Sequence, residues 1–255
     1  MNELKVLDHG SVILRNLAGP TRRPHDRLPP DQEDMADFRP RAFDADDIDV
    51  AQAARLSFEQ MDSERTYEQD MKLNRYLMEH DHTSPFEMIQ VWVEVRVPIF
   101  IDRQMVRHRT WRRNESSARY IVLPNKWYVP EVVGAKPPPG GAKQGQVDTL
   151  DAETQGWFKN DLQMRCKHDY DFYEEALRRG VAPEHARMAL HLNHYVHWIG
   201  NVDLHNLFQF LKKRVDKGAQ IEARAYGNAI MDLLRPHLPG LMGLFDEIVR
   251  KPEGK

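Results

Sequence analysis

An arginine-rich segment, residues 103–120, contains the side chains best suited to chemistry. Its six arginines are Arg103, Arg107, Arg109, Arg112, Arg113 and Arg119. The whole chain has a formal net charge of −3, so the segment is a local cationic island in a mildly acidic background. A guanidinium group binds two phosphate oxygens at once through its planar set of donors. The segment therefore predicts a site for a compact anion, above all a phosphate.

The second half of this segment is polar rather than cationic. Asn114, Glu115, Ser116 and Ser117 offer both hydrogen-bond donors and acceptors, and they disfavour a continued helix. Such side chains can line a pocket that recognises the amide-like edges of a polar base. Three other interpretations remain open here: a solvated basic helix, a non-redox nucleotide hydrolase, and a nucleic-acid-binding module that holds the phosphate backbone with the cluster 103–119.

A fixed spacing within the segment resembles the signature of the flavin-dependent thymidylate synthases. The motif reads Arg107-His108-Arg109, then seven residues, then Ser117. The segments that extend the resemblance are Asn114-Glu115, Arg119-Tyr120, 53–58, 82–87, 185–187 and 211–220. The resemblance implies an α+β fold, with an antiparallel or mixed sheet flanked by helices. It also implies a homotetramer whose active sites are shared between subunits.

The reaction implied by the resemblance is the reductive methylation of deoxyuridine monophosphate (dUMP) to thymidine monophosphate (dTMP). Methylenetetrahydrofolate would be the carbon donor, and FAD reduced by NADPH would be the hydride source. A redox cofactor agrees with the chemistry, because no protein side chain delivers a hydride.

The site residues implied by the resemblance fall into three sets. Those implied to bind dUMP are Gln104, Arg107, Glu115, Ser116, Ser117, Arg119, Arg187 and Arg214. Those implied to bind FAD are Ser57, His82, Thr83, Arg107, His108, Arg109, Glu115, Asp203, His205 and Gln209. Folate is assigned to Tyr120 and His82, and the catalytic roles go to Arg214, Ser117 and His82. At Asp203, His205 and Gln209 the family often has Asn, Arg and Asn, so the chain differs from the family pattern there.

Three groups of residues could carry other chemistry. Cys166 could be a nucleophile, but its place in an amphipathic helical pattern predicts a packed core thiol, which is normally inert. His191, His194 and His197 could bind a metal, but no carboxylate or cysteine completes the ligand set, so we expect no metal site. Ser117 as a nucleophile would need a base oriented by a third group, and we interpret it as a hydrogen-bond donor to a ligand.

The amino-acid composition limits which class of protein this chain can belong to. The chain has 255 residues, 41% hydrophobic and 29% charged, as is typical of a soluble globular protein with a sizeable core. No apolar run approaches the ~20 residues of a membrane span, and the N-terminus lacks the apolar core of a signal peptide. A single cysteine permits no internal disulfide. We therefore expect a cytoplasmic protein that contacts no membrane, and the near-neutral charge disfavours an extended nucleic-acid interface.

Apolar periodicity predicts the elements that position these residues. The clearest strand is 89–97, and Pro98 then opens a helix that carries Arg103, Gln104 and Arg107 on one side. Further strands are predicted at 4–15, 119–128 and 193–202, and helices at 47–58, 67–80, 154–179, 204–215, 220–234 and 241–249. Pro85 predicts a turn at 82–87. We expect residues 1–255 to form one catalytic domain, with a Pro-, Asp- and Arg-rich insertion at 18–46 and a Pro- and Gly-rich loop at 131–150.

Overall fold

An antiparallel sheet forms the centre of the computed structural model, which describes residues 2–20, 45–60, 65–136 and 148–250. The strands in these residues are β1 (Glu3–Val6), β2 (Gly10–Ala18), β3 (Gln90–Pro98), β4 (Arg112–Glu115) and β5 (Tyr195–Asp203). Their order across the sheet is β1-β2-β3-β5-β4. Every neighbouring pair is antiparallel.

β3 lies in the middle of the sheet because its sequence fits that position. Val91, Val93, Val95 and Val97 are all buried on one face of the strand. They alternate with polar or amphipathic residues, as a strand requires when one face meets the core. β3 pairs with β2 on one side and with β5 on the other. The strand predicted at 89–97 is confirmed.

Helices cover the sheet. They are α1 (Ile48–Arg55), α2 (Tyr67–Glu79), α3 (Ser84–Glu87), α4 (Ile99–Met105), α5 (Ala152–Arg178), α6 (Pro183–Ala186), α7 (Leu204–Arg214), α8 (Ile221–Leu234) and α9 (Pro239–Leu244). Short 3-10 helices follow at Leu56–Phe58 and Arg187–Ala189, and a π-helix at Phe245–Val249. α7 packs against β5, and α8 packs against β1 and β2. The predicted α+β class, an antiparallel sheet flanked by helices, is confirmed.

Buried polar contacts anchor the elements around Ser57. Asp47, just before α1, accepts hydrogen bonds from the backbone N–H groups of Gly240 and Leu241, both at 2.7 Å. At the other end of α1, Arg55 forms a buried ion pair with Asp70 of α2 at 2.5 Å. A buried ion pair strongly resists the loss of either partner, because the remaining charge would be unpaired. Arg55 directly precedes the short 3-10 helix that carries Ser57, so the ion pair holds the start of that helix.

Three local predictions are wrong. Residues 119–128 begin in a turn and continue as irregular chain with one isolated bridge at Trp127, rather than as a strand, and the edge of β5 pairs instead with 112–115. Residues 84–87 form the short helix α3, because Pro85 lies in the first turn, where its missing N–H costs nothing. The third error concerns Arg107, which lies beyond the end of α4 and so is not on the helix with Gln104.

The two predicted insertions fall largely outside the described residues. The segment 18–46 includes 21–44, which the description does not cover. Of the loop 131–150, residues 137–147 are not described, but its two ends pair with each other. The N–H of Ala135 donates to the carbonyl of Asp148 at 2.7 Å, and that of Leu150 to Val133 at 3.2 Å. Among the described residues, no helix has the length and apolar content needed to span a bilayer.

Candidate active site

A large open cleft lies where the C-terminal ends of α4 and α7 meet the N-terminus of α8. Its volume is roughly 1960 Å³. Arg103, Gln104 and Arg107 line it from α4 and the following turn, and Gln209 and Arg214 line it from α7. Lysine and arginine side chains in the last turn of α7 are favoured there, because the C-terminus of a helix carries partial negative charge. The cleft therefore combines several cations with amide side chains.

Arg214 is fixed by its neighbours in this cleft. Its Nη2 donates to the backbone carbonyl of Gln104 at 2.9 Å and lies 3.1 Å from Nε2 of His108. Its Nη1 lies 3.4 Å from Oε1 of Gln104, whose Nε2 in turn donates to Oε1 of Gln220 at 2.7 Å. The guanidinium is therefore oriented before any ligand arrives. Such preorganisation is what makes a charged group effective on a developing charge.

His108 is held in its neutral form. Burial, followed by the charges of Arg214 and Lys213, lowers the pKa of His108 to about 4. Because Nε2 faces the guanidinium N–H groups, the ring proton belongs on Nδ1. Phe210 supports the ring from the core, edge-on at 4.9 Å between ring centroids. His108 can thus accept from Arg214 without adding a second positive charge.

The polar half of the arginine-rich segment lies elsewhere. Asn114, Glu115 and Ser116 line a second, smaller cleft of roughly 560 Å³ on the sheet, together with His197. β4 holds them there, and the N–H of Ser116 donates to the carbonyl of His197 at 2.9 Å. Burial and the nearby Asp102 raise the pKa of Glu115, and neighbouring arginines partly offset that effect. The structure therefore separates Glu115 and Ser116 from the cleft that holds Arg214.

Arg119 and Arg187, two more of the residues predicted to bind dUMP, lie next to α6. Arg119 forms an ion pair with Glu184 at 3.6 Å, and its guanidinium lies 5.5 Å from the centre of the Tyr120 ring. Arg187 starts the 3-10 helix directly after α6 and is exposed. Tyr120 is 79% exposed. The N–H of Arg119 also contacts Oγ of Ser117 at 3.3 Å. Arg119, Tyr120 and Arg187 thus form an exposed group, Ser117 is half-buried, and none of the four lines the Arg214 cleft.

Several of the residues predicted to bind the flavin lie on α7 or next to an element that packs against it. His82 and Thr83 lead into α3, which packs against α1 and α7. Asp203 caps the N-terminus of α7, and both its carboxylate oxygens accept from Asn206, at 2.8 and 2.7 Å. Thr83 donates to Glu87 at 2.9 Å.

Several of these side chains keep free donors. Within the described residues, His82, Arg109, His205 and Gln209 make no side-chain hydrogen bond or ion pair. Histidine, arginine and glutamine donors suit the phosphate and carbonyl oxygens of FAD. The chemistry of these donors therefore suits that cofactor, whereas both carboxylate oxygens of Asp203 already accept hydrogen bonds from Asn206.

One residue of the neighbourhood had no signal in the sequence. Asp102 forms an ion pair with Arg113 at 2.8 Å, a contact between α4 and β4 that the motif does not reveal. Gln220, which the family resemblance includes in the segment 211–220, orients Gln104. Cys166 is buried, and burial raises the pKa of its thiol, so the inert core thiol agrees with its surroundings. No group of three metal-ligating side chains occurs in the described part of the chain.

The fold and the cationic cleft define an α+β protein suited to a phosphate-bearing ligand. Residues 41–240 match the family model described as thymidylate synthase complementing protein. The flavin-dependent thymidylate synthase of Dictyostelium discoideum is 38% identical over 237 residues, which cover 93% of this chain and 71% of that protein. That of Wolbachia pipientis wMel is also 38% identical, over 79% of this chain and 70% of its own length. The chain therefore belongs to the flavin-dependent thymidylate synthases, a family of methyltransferases.

A solved structure has the same fold. The UMP/dUMP methylase PolB from Streptomyces cacaoi, bound with 5-Br dUMP, aligns with a TM-score of 0.78 at 24% identity. The alignment covers 97% of this chain and 99% of that one. At this level of identity the likeness establishes the fold, and the residues of the site have to be argued from this chain.

Proposed function

We propose that this protein catalyses the reductive methylation of dUMP to dTMP. Methylenetetrahydrofolate is the carbon donor and NADPH the reductant. Membership of the family supports the reaction class, and one observation supports the assignment to this site. Arg214 is held by the carbonyl of Gln104 and by a neutral His108, in a cleft that also contains Arg107.

Arg214 has the central role in this proposal. The pyrimidine ring must become nucleophilic at carbon, and negative charge then develops on its carbonyl oxygens. A fixed guanidinium beside those oxygens stabilises that charge. The amide of Gln104 can hydrogen-bond to the base edge. Arg107, Arg119 and Arg187 can hold the phosphate through charge-assisted hydrogen bonds.

The flavin is proposed to be FAD, which when bound supplies the hydride that no side chain can. His82, Arg109, His205 and Gln209 would hold it through donors that have no other side-chain partner among the described residues. Ser57, Thr83, His108 and Glu115 are assigned to the same cofactor by the family resemblance. Tyr120 is exposed beside Arg119 and is proposed to stack on the folate.

We further propose a homotetramer whose sites combine residues of neighbouring subunits. The separation of the residues within one chain supports this proposal. Arg214 and Gln104 line one cleft, Glu115 and Ser116 line another, and Arg119 lines neither. A closed symmetric assembly can bring one chain's cleft against another chain's exposed group, and it repeats the result at each equivalent interface.

The nucleic-acid alternative has weaker support. A backbone-binding surface needs its cations on one exposed track. Here Arg113 is buried against Asp102, Arg119 pairs with Glu184, and Arg107 lies in the cleft. These three arginines therefore lie in different surroundings and do not form one exposed track.

The proposed reaction is tested with purified protein supplied with FAD, dUMP, methylenetetrahydrofolate and NADPH. We expect dTMP by chromatography only when all four are present, together with a flavin absorbance spectrum that changes on adding dUMP. Failure to retain any flavin, or dTMP formation without it, would overturn the proposal. Oligonucleotide binding with a steep salt dependence, and no dTMP, would favour the nucleic-acid alternative.

A further inference from the structure

One arginine of the segment 103–120 is unlike the other five. The side chain of Arg113 is only 13% exposed, whereas its neighbour Arg112 on the same strand is exposed. The proposed reaction gives Arg113 no role. A guanidinium at such a depth must be matched by acceptors, because an unpaired buried charge is strongly destabilising.

Arg113 joins three elements at one point. Its Nη2 lies 2.8 Å from Oδ1 of Asp102 on α4 and 3.2 Å from Oε2 of Glu115, two residues further along β4. Its guanidinium carbon lies 4.2 Å from the centre of the Trp198 ring on β5. Asp102 is itself only 12% exposed and is followed along α4 by Arg103 and Gln104, which line the large cleft.

The surface on which Arg113 rests is built by the sequence of β5. Gly200 pairs with Arg113 in the register of β4 and β5. A Cβ atom at Gly200 would lie 2.9 Å from ring atoms of both Trp111 and Trp198, so the two indoles occupy the space that a side chain would fill. They meet edge to face at 5.7 Å between centroids. Trp111 and Trp198 thus form an aromatic platform that requires glycine at position 200. The guanidinium of Arg113 rests on this platform.

We infer that Arg113 is a positioning residue that holds the two parts of the nucleotide site contributed by one chain. One part is Gln104 on α4, and the other is Glu115 and Ser116 at the end of β4. The inference rests on the proposed function, since it assumes that these residues meet dUMP. Arg113 acts through Asp102 and Glu115, because its guanidinium is covered by them and by Trp198.

The charge balance explains why the position needs a cation with a fixed shape. One guanidinium lies between two carboxylates, and removing it leaves Asp102 buried beside Glu115. Like charges repel, so β4 must move or one carboxyl must take up a proton. A lysine restores the charge but not the planar donor fork, so it can restore only part of the geometry.

The test compares Arg113→Gln, Arg113→Lys and Asp102→Asn with the parent enzyme, and uses Arg112→Gln as the matched control. Arg112 is the adjacent arginine of β4, is exposed, and donates only to Asn201 at 3.1 Å. Each full-length protein is checked for folding by circular dichroism. Binding of dUMP is measured by calorimetry, and hydrogen–deuterium exchange is measured over the peptide 112–118.

We expect Arg113→Gln to weaken dUMP binding by roughly ten- to a hundredfold, as misplacement of binding groups can do. Arg113→Lys should fall between Gln and the parent. A double variant with both Asp102→Asn and Arg113→Gln should lose less dUMP binding free energy than the sum of the two single losses, because the residues act as a pair, and additive losses would contradict that pairing. Exchange at the Ser116 amide should rise in Arg113→Gln and stay at the parent level in Arg112→Gln.

The outcomes separate this inference from the proposed function. Parent protein that fails to bind dUMP contradicts the proposed function, and the exchange data then still decide whether Arg113 holds the segment. Unchanged exchange at 112–118 in folded Arg113→Gln, or dUMP affinity equal to the parent's, overturns the positioning role. Equal losses of dUMP affinity in Arg112→Gln and Arg113→Gln would also overturn it, since only Arg113 forms the ion pairs with Asp102 and Glu115.

Discussion

Arg214 and His108 form a hydrogen-bonded pair in which only the arginine is charged at neutral pH. A histidine beside an arginine would add a second cation if it were protonated, and the two groups would repel. Burial and the charge of Arg214 keep His108 neutral, and its Nε2 then accepts from the guanidinium. Burial also lowers the pKa of Arg214, but a guanidinium remains charged at neutral pH. The pair therefore presents one oriented cation to the cleft.

Removal of the oriented cation should affect catalysis more than folding. We expect Arg214→Ala to lower kcat/KM by about 100-fold or more, in line with the loss of one transition-state donor. Circular dichroism should be unchanged, because the side chain is only half-buried and faces the cleft. The control is Lys217→Ala, a nearby exposed cation outside the cleft lining. Near-normal kinetics in Arg214→Ala would remove this residue from the site.

The neutral histidine also predicts a pH dependence of stability. The pKa of His108 is about 4 in the folded protein, against an ordinary value of 6.5. Between these values the unfolded chain binds a proton that the folded chain does not, so stability falls as pH falls from about 6.5 to about 4. At higher pH the two states bind protons equally at this site, and its contribution is constant.

His108→Gln should therefore flatten this part of the pH profile. Glutamine keeps an acceptor near Arg214 but does not titrate. The measurement is Tm from pH 7 down to pH 4 for the variant and the parent. The buried His194, whose pKa is also lowered to about 4, titrates in both proteins and contributes to the residual slope, as does His237, whose pKa is lowered by burial. Identical slopes in the two proteins would show that His108 contributes nothing to acid sensitivity.

Elements with a strong internal pattern could be predicted from the sequence, and elements defined by a partner could not. β3 has four valines in alternation, and α5 has an apolar repeat along its length, so each carries its own signal. β4 has the sequence Arg-Arg-Asn-Glu, with no apolar residue. It is a strand because the edge of β5 offers backbone partners. Residues 119–128 had the apolar content expected of a strand, yet the side chains of Tyr120, Ile121 and Val122 are exposed.

The same distinction applies to the site. A resemblance in motif could assign Gln104, Arg107 and Arg214 to one ligand, and these three do line one cleft. It could not indicate that Glu115 and Ser116 lie in a different cleft, because sequence separation says nothing about which face of the sheet a strand edge presents. Asp102 was missed for a related reason, because its role exists only through its contact with Arg113. The motif included Gln220 but could not indicate that its side chain orients Gln104.

The aromatic platform at β5 makes a prediction at the element scale. Gly200→Ala should lower the free energy of unfolding by about 1–3 kcal/mol, because the new Cβ overlaps with Trp111 and Trp198. The matched control is Gly156→Ala on α5, where a Cβ meets nothing within 4 Å. That change should be neutral or stabilise by up to about 1 kcal/mol, since alanine favours helix more than glycine does. Denaturant unfolding of both variants gives the comparison, and equal stabilities would contradict the crowding at Gly200.

At the scale of the whole molecule, one chain holds the residues of the proposed nucleotide site in separate places. Arg214 lies in the large cleft, and Arg119 lies near α6, paired with Glu184. The apolar side chains Tyr120, Val122 and Met188 are exposed close to Arg119 in sequence or beside α6. Exposed apolar groups of this kind are typical of surfaces that another chain covers. The arrangement favours a site assembled from more than one subunit.

The shared site can be tested with two variants that are each nearly inactive. Arg119→Ala and Arg214→Ala are co-expressed with different tags, and the mixed oligomer is isolated through both tags. If one chain supplies Arg119 and another supplies Arg214, some sites in the mixture contain both intact residues and others contain both lesions. Activity should therefore return in part and never fully. If each site lies within one chain, every site keeps a lesion, so a folded, flavin-loaded mixture as inactive as its parents would rule out the shared site.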